Sequence, residues 1–189
     1  MSRVFITSDL HFGHSNILKF NPATRQFRDV EHMNSEMVRM WNETVSDEDL
    51  VYILGDVAFC NENKAAGIMR SLNGRKILIQ GNHDSKLVKH RAFAECFEEI
   101  HVYHTINHNG QRICMFHYPI HEWDQCHRGA IQFHGHVHGK PTGLERYRVR
   151  DAGMDATGKV VTLLDDLVRD ALRGEIRRHG DTKAEGVGV

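Results

Sequence analysis

Three histidines occupy alternate positions in the segment FHGHVHG, residues 133–139, and a glycine lies on either side of the last pair. Imidazoles are poor fillers of an apolar core, yet the segment continues the apolar run AIQF. If that run is a strand, alternation would project His134, His136 and His138 to the same side. Imidazoles at the end of a strand are suited to bind a metal ion. A solvated, histidine-rich loop is the alternative for this segment taken alone.

Metal-capable side chains also end four other short apolar runs. Asp9 and His11 follow the first run, and Asp56 follows the second. The block GNHD, residues 81–84, ends the third run, and His117 ends the run RICMF. An aspartate after a strand is commonly a turn former or a helix cap, and a single histidine is commonly a hydrogen-bonded one. Those local explanations do not account for five runs that all end in Asp, Asn or His.

The elements that must position these residues alternate in the first half of the chain. The apolar periodicity predicts strands over 3–8, 50–55 and 76–81 and helices over 30–45 and 62–72. Strand–helix–strand alternation is typical of parallel βαβ units, in which ligands bind at the carboxyl ends of the strands. The polar residues that end the runs are therefore expected to meet at one rim of the sheet.

The residue pattern in the second half of the chain predicts more strands than helices. The dipeptide Asn109 and Gly110 is typical of a tight turn, so a β-hairpin is expected between 99–106 and 112–118. The other predicted elements are strands over 130–135, 146–153 and 159–163, the last two as a further pair, and a helix over 163–178.

The bulk composition is that of an ordinary globular chain. The 189 residues are 40% hydrophobic and 26% charged, with a formal net charge of −1, so there is no basic excess for a polyanionic partner. The four cysteines form no C-x-x-C pair, the N-terminal segment MSRVFITSDL lacks a secretory pattern, and no apolar run has the length of a membrane span. We expect a single domain over residues 1–180, a disordered tail over 181–189, a cytoplasmic location and no membrane partner.

Five polar blocks follow one another along the chain: D-x-H at 9–11, G-D at 55–56, G-N-H-D at 81–84, His117, and G-H-x-H at 135–138. In type and order they resemble the blocks of the calcineurin-like metallophosphoesterases, and the chain looks most similar to the compact bacterial and phage-type members. The resemblance implies an α/β fold, a four-layered αββα sandwich that holds a two-metal centre. The sequence departs from the family pattern after Asp56, where many members carry another carboxylate or Asn and this chain has Val57, Ala58, Phe59 and Cys60.

The resemblance also implies a role for each block residue. One metal ion would be held by Asp9, His11, Asp56 and His138, and the other by Asp56, Asn82, His117 and His136, with Asp56 bridging. His83 would be the general acid, and Asp84 would orient and charge its imidazole. His134 is left with a packing or hydrogen-bonding role. His14 and His121 are weaker candidates for contacts with the substrate, with a helix-start role and a solvated loop as their alternatives.

A mixed set of carboxylate, amide and imidazole ligands without thiolate suits divalent ions, of which Mn²⁺ is the expected cofactor and Fe, Zn²⁺, Ni²⁺ or Co²⁺ are alternatives. Two such ions can generate a hydroxide at neutral pH and clamp both oxygens of an in-line displacement at phosphorus. We therefore expect a hydrolase that acts on phosphoester bonds. A phosphodiesterase for nucleotide-like or nucleic-acid substrates is favoured, because Arg and Lys are absent from all five blocks and the short spacings leave no room for a cap domain.

Two alternatives stay open. A phosphomonoesterase or protein phosphatase would share the metal centre but would need a basic clamp for a dianionic phosphate. A non-catalytic, metal-binding scaffold would need neither His83 nor an unbroken ligand set, and both are intact here.

Overall fold

The computed structural model describes residues 2–181, so the predicted tail over 181–189 lies outside the described residues except for Asp181. The strands are β1 Val4–Thr7, β2 Leu50–Ile53, β3 Arg75–Ile79, β4 Glu99–His101, β5 Tyr103–His108, β6 Gln111–Phe116, β7 Ile131–His134, β8 Val149–Asp151 and β9 Thr162–Leu163. The α-helices are α1 Ile17–Phe20, α2 Val30–Thr44, α3 Glu62–Ser71, α4 Arg91–Ala94, α5 Met154–Thr157 and α6 Leu164–Ala171. Within residues 2–181, none of the helices has both the length and the apolar character that crossing a membrane requires.

The strands form two sheets that stack face to face. The first sheet has the order β4-β3-β2-β1-β9 and the second has the order β5-β6-β7-β8. In β1, Phe5 packs with the apolar faces of α2 and α3, whereas Ile6 packs into the layer between the sheets, as alternation along a strand requires. The outer face of the second sheet is covered by a cluster around Trp123 and Tyr147. The predicted four-layered α/β sandwich is confirmed, although the outer layer over the second sheet is built from loops and the 3₁₀ turn Cys126–Arg128.

Parallel pairing brings the carboxyl ends of the central strands to a shared rim. Strands β1 to β4 run parallel to one another in the first sheet, and β6, β7 and β8 run parallel to one another in the second. Hydrogen bonds then join the segments beyond the strands, because Asp9 N donates to Gly55 O at 3.0 Å and Gly135 N donates to His117 O at 2.9 Å. The ends of five strands therefore form one continuous edge, as the sequence predicts.

Three elements of the second half differ from the prediction. The segment 99–106 is two strands, because the chain leaves the first sheet after His101 and enters the second at Tyr103. Strands β8 and β9 do not pair with each other, since β8 pairs with β7 and β9 pairs antiparallel with β1. The predicted helix over 163–178 ends at Ala171, and Glu175 forms a bridge with Tyr147 instead. Periodicity predicts that a strand exists but does not specify its partner.

Candidate metal centre

All seven predicted metal ligands lie together at the shared rim. Six of them form two groups, and within each group one ligand atom from every residue lies within 4.8 Å of the others. The first group is Asp9, His11 and His138, and the second is Asp56, His117 and His136. Asn82 joins the second group, since its Oδ1 is 2.9 Å from Nε2 of His117.

The Asp56 carboxylate lies between the two groups. Its Oδ2 is 3.9 Å from Nε2 of His11, and its Oδ1 is 3.6 Å from Nε2 of His117. The two oxygens of one carboxylate thus face different groups, which is an arrangement that suits a bridging ligand between two cations.

Two buried atoms of the first group have no hydrogen-bond partner within residues 2–181. These atoms are Oδ1 of Asp9 and Nε2 of His11, which lie 3.8 Å apart. Nε2 of His138 lies at the same distance, 3.8 Å, from that oxygen of Asp9. Buried polar atoms are normally paired, because leaving them without a partner is costly. A divalent cation among the three side chains would satisfy them together, so the residues present fit a metal ion.

The outer nitrogens of two histidines are held by hydrogen bonds. Nδ1 of His117 is 2.7 Å from the carbonyl oxygen of Leu54, and Nδ1 of His138 is 2.7 Å from Oδ2 of Asp155. Metal-binding histidines typically donate their second ring N–H to a carbonyl or a carboxylate, which fixes the tautomer. Both imidazoles can therefore present an unprotonated Nε2 to the centre.

The electrostatics of the rim favour neutral imidazoles at His11 and His136 beside a charged carboxylate. At His138, burial lowers the pKa, but the hydrogen bond to Asp155 and the charge of Asp9 together outweigh burial and the pKa is raised. Burial lowers the pKa of His11, although the Asp9 carboxylate acts in the opposite direction. Burial and the neighbouring His117 also lower the pKa of His136. For Asp9, burial raises the pKa, but the imidazoles around it outweigh this effect and the pKa is lowered. Neutral histidine and ionised aspartate are the protonation states that bind a cation.

Most of the candidate ligands occupy strained backbone positions. Seven non-glycine residues within the described range have a positive φ, and five of these are candidate ligands: Asp9, His11, Asp56, His136 and His138, with φ between 52° and 71°. This conformation costs about 1–3 kcal/mol at each residue that is not glycine, and it persists only where the surroundings impose it. Strain of this kind concentrates at functional sites, and five of the seven candidate ligands have it.

Two glycines allow the blocks to approach each other. A Cβ atom on Gly81 would overlap Asp56, and a Cβ atom on Gly135 would overlap the side chains of Ser8 and Asp9. Glycine is therefore required at both positions by close approach.

Asp84 does not have the predicted contact with His83. Its buried carboxylate accepts hydrogen bonds from the backbone N–H groups of Asp56, Val57 and Gly81 at 2.9, 3.0 and 2.8 Å. No hydrogen bond joins the side chains of His83 and Asp84 within residues 2–181. Within the described residues no direct contact lets Asp84 orient the His83 imidazole, so the orienting role stays a prediction. Asp84 instead fixes the backbone that carries Asp56.

His83 lies at the solvent side of the centre. Its side chain is 50% exposed, and its Nε2 is 4.0 Å from Oδ2 of Asp56. The backbone N–H of His83 donates to Oδ1 of Asp56 at 3.0 Å, and its ring packs on Phe59 with the centroids 4.5 Å apart. An exposed imidazole beside the Asp56 carboxylate is well placed to exchange a proton with a molecule bound at the rim.

Phe59 is a residue of the centre that the sequence patterns did not single out. Its ring stacks on His11 at 4.6 Å and on His14 at 4.2 Å between centroids. Nδ1 of His14 is 2.9 Å from Nδ1 of His11, so His14 contacts a ligand as well as preceding α1. The feature of the sequence that could have indicated Phe59 is the departure from the family pattern after Asp56.

A buried ion pair lies behind the first group, and no pattern in the sequence indicated it. The side chains of Arg25 and Asp155 are 0% and 1% exposed, and the guanidinium contacts both carboxylate oxygens at 2.9 and 3.0 Å. Arg25 also donates to the backbone carbonyls of Asp9 and Leu10 at 2.6 and 3.2 Å. Because Asp155 accepts from His138, the pair connects the segment after β1 to a ligand on the other sheet.

The remaining predicted residues lie apart from the centre. His121 is exposed, and within the described range no hydrogen bond or ring contact joins it to either ligand group. His134 is buried at the end of β7, with Nδ1 2.9 Å from the carbonyl oxygen of Gly135, and it lines a separate cavity of about 610 Å³ beside Asp151. Strand β7 ends at His134, so the alternation expected for the three histidines does not continue to His136.

The chain has relatives among known proteins, although no model of a known protein family matches it. It is 35% identical over 140 residues to the uncharacterized protein MJ1445 of Methanocaldococcus jannaschii, covering 73% of this chain and 70% of that protein. It is 29% identical over 192 residues to the Gene 66 protein of Mycobacterium phage L5, covering 86% and 91%. A solved structure, the protein of unknown function AQ665 from Aquifex aeolicus, shares 27% identity with a TM-score of 0.71, covering 89% of this chain and 99% of that one.

Replacing Asp155 by Asn tests the buried ion pair. We expect Asp155→Asn to weaken Mn²⁺ binding about 10–100-fold, because His138 loses its carboxylate partner. We expect the free energy of unfolding of the metal-free protein to fall by about 3–5 kcal/mol, because Arg25 stays buried without its counter-ion. Titration calorimetry and urea unfolding measure the two effects.

The matched control is Asp166→Asn, which removes a carboxylate from an exposed pair with Arg169 on α6. That variant should change the free energy of unfolding by less than about 1 kcal/mol and should bind Mn²⁺ normally. Wild-type Mn²⁺ affinity in Asp155→Asn would contradict the role given to Asp155.

Proposed function

We propose that this chain, which belongs to the same family as the uncharacterized protein MJ1445 of Methanocaldococcus jannaschii, is a metal-dependent phosphoesterase of the calcineurin-like type. Its proposed cofactors are two divalent cations, with Mn²⁺ as the expected ion. The observation that carries the proposal is the pair of ligand groups at the rim, with the two oxygens of Asp56 directed to different groups. Asp9, His11, Asp56 and His138 would hold one ion, and Asp56, Asn82, His117 and His136 the other.

When bound, the two cations would supply positive charge for the oxygens of a phosphoester and an activated water as the nucleophile. The residues of the chain would do the remaining work. His83, exposed beside Asp56, would donate a proton to the leaving oxygen. Asp84 would hold the backbone of Asp56 in place, and Asp155 would hold the His138 ring through Nδ1.

Within the phosphoesterases, the surroundings of the centre favour a diester, such as a nucleotide-like or nucleic-acid substrate, over a monoester. A dianionic monoester generally requires a cationic side chain that is free to contact it. Arg25 lies beside the first group, but its guanidinium is buried and occupied by Asp155 and by backbone carbonyls. Asn82, His83 and His136 are exposed, so the rim is open to an extended substrate.

The proposal is tested by comparing an aryl phosphodiester with the corresponding monoester, using protein stripped of metal and reloaded with Mn²⁺. We expect hydrolysis that depends on Mn²⁺, with the diester cleaved faster. Faster cleavage of the monoester would favour a phosphomonoesterase. Two bound ions per chain without hydrolysis of aryl esters or oligonucleotides would contradict the enzymatic proposal and favour a metal-binding scaffold.

The role of His83 gives a separate prediction. His83→Ala should slow diester turnover by about 10²–10⁴-fold, because the leaving oxygen loses its proton donor. The number of bound Mn²⁺ ions and the melting temperature should stay at wild-type values, since the side chain is half exposed and is not among the proposed ligands. Steady-state kinetics with metal analysis measures both.

The matched control for this variant is His108→Ala, which removes a histidine paired with Asp165 at the surface. It should leave turnover unchanged. If His83→Ala also keeps wild-type turnover, the general acid is another group.

A further inference from the structure

A third group of metal-capable side chains lies outside the proposed centre. It consists of Glu99 and His101 on β4 and His104 on β5, and one ligand atom of each lies within 4.8 Å of the others. We propose that this group, the corner site, binds one divalent transition-metal ion of the Zn²⁺ type, independently of the phosphoesterase centre.

The three side chains are already close to one another. Nε2 of His101 is 2.6 Å from Oε2 of Glu99, as expected for neighbours two positions apart on one face of a strand. The rings of His101 and His104 are stacked, with centroids 4.2 Å apart and planes inclined by 25°. A carboxylate and two imidazoles are therefore within reach of one ion, so that small side-chain rotations would bring their ligand atoms onto it.

Backbone pairing holds the corner site from two sides. In the first sheet, Glu99 pairs with Ile77 and His101 pairs with Ile79. In the second sheet, His104 pairs with Met115. The ligand-bearing positions thus belong to regular strands rather than to a loop, and strands hold side chains in more defined positions than loops do.

The chemistry of the donors points to the class of ion. Two imidazoles with one carboxylate suit Zn²⁺ and its neighbours in the transition series, whereas Mg²⁺ and Ca²⁺ prefer oxygen ligands only. The side chains of Glu99 and His101 are 55% and 31% exposed, so an ion has access and water can complete its coordination.

The place of the corner site in the fold indicates what a bound ion would do. Between His101 and Tyr103 the chain passes from the first sheet to the second. An ion held by His101 and His104 would link the two sheets at this crossing. Because the strands hold the three ligands together in the folded chain, the ion would bind the folded chain more tightly than the unfolded one and would stabilise the fold.

The test is the number of Zn²⁺ ions bound by the metal-stripped full chain, measured by equilibrium dialysis, together with the melting temperature. We expect His101→Ala to bind one Zn²⁺ ion fewer than the wild type and to show a smaller rise in melting temperature with Zn²⁺. Glu99→Gln, which keeps the shape of the side chain and is exposed, should weaken binding of that ion while folding normally. Neither variant should change Mn²⁺-dependent phosphoester hydrolysis.

The matched control is His108→Ala, because His108 also lies on β5 and also has a carboxylate 2.6 Å from its Nε2, but has no second imidazole with it. It should bind as many Zn²⁺ ions as the wild type. Equal Zn²⁺ stoichiometry and affinity in the wild type, His101→Ala and Glu99→Gln would overturn the corner site, whatever the outcome of the phosphoesterase assays.

Discussion

Two buried carboxylates, Asp9 and Asp56, face a common space at the rim of the sheets, and the arrangement around them depends on their charge. They are 0% and 3% exposed. Buried charge is costly unless it is paired. Burial lowers the pKa values of His11 and His136, which disfavours their charged forms, whereas the contact with Asp155 raises the pKa of His138. A bound cation would pair with both carboxylates.

The fold holds these charges together through contacts that each join separate segments. Parallel strands bring the blocks to one rim, and left-handed backbone at five ligand positions turns each chain segment after its strand. Asp84 accepts hydrogen bonds from the backbone N–H groups of Asp56 and Val57. The pair of Arg25 and Asp155 connects the backbone of Asp9 to the His138 ring. The side chains of Asp84, Arg25 and Asp155 are buried, whereas the His83 side chain is half exposed. This difference in exposure distinguishes the side chains that hold the centre together from His83, which is proposed to act on a substrate.

Strand periodicity predicted that the polar blocks meet at one rim, because alternation along a strand is a local property. The division of the seven proposed ligands into two sets came from the resemblance to the calcineurin-like metallophosphoesterases, and the structure places six of them in two groups. The sequence could not predict the pair of Arg25 and Asp155, whose members are 130 residues apart and meet only in the folded chain. The sequence did not indicate the backbone contacts of Asp84 for a similar reason, since the family pattern places Asp84 next to His83 in sequence but does not state which groups its carboxylate contacts. The division of 99–106 between two sheets also depends on tertiary pairing.

The measurement that tests this account most directly is anomalous X-ray diffraction from crystals grown with Mn²⁺. The account predicts two peaks about 3.5–4 Å apart, one in each ligand group, with the Asp56 carboxylate between them. A single peak with Asp56 outside its coordination sphere, or peaks away from both groups, would contradict it.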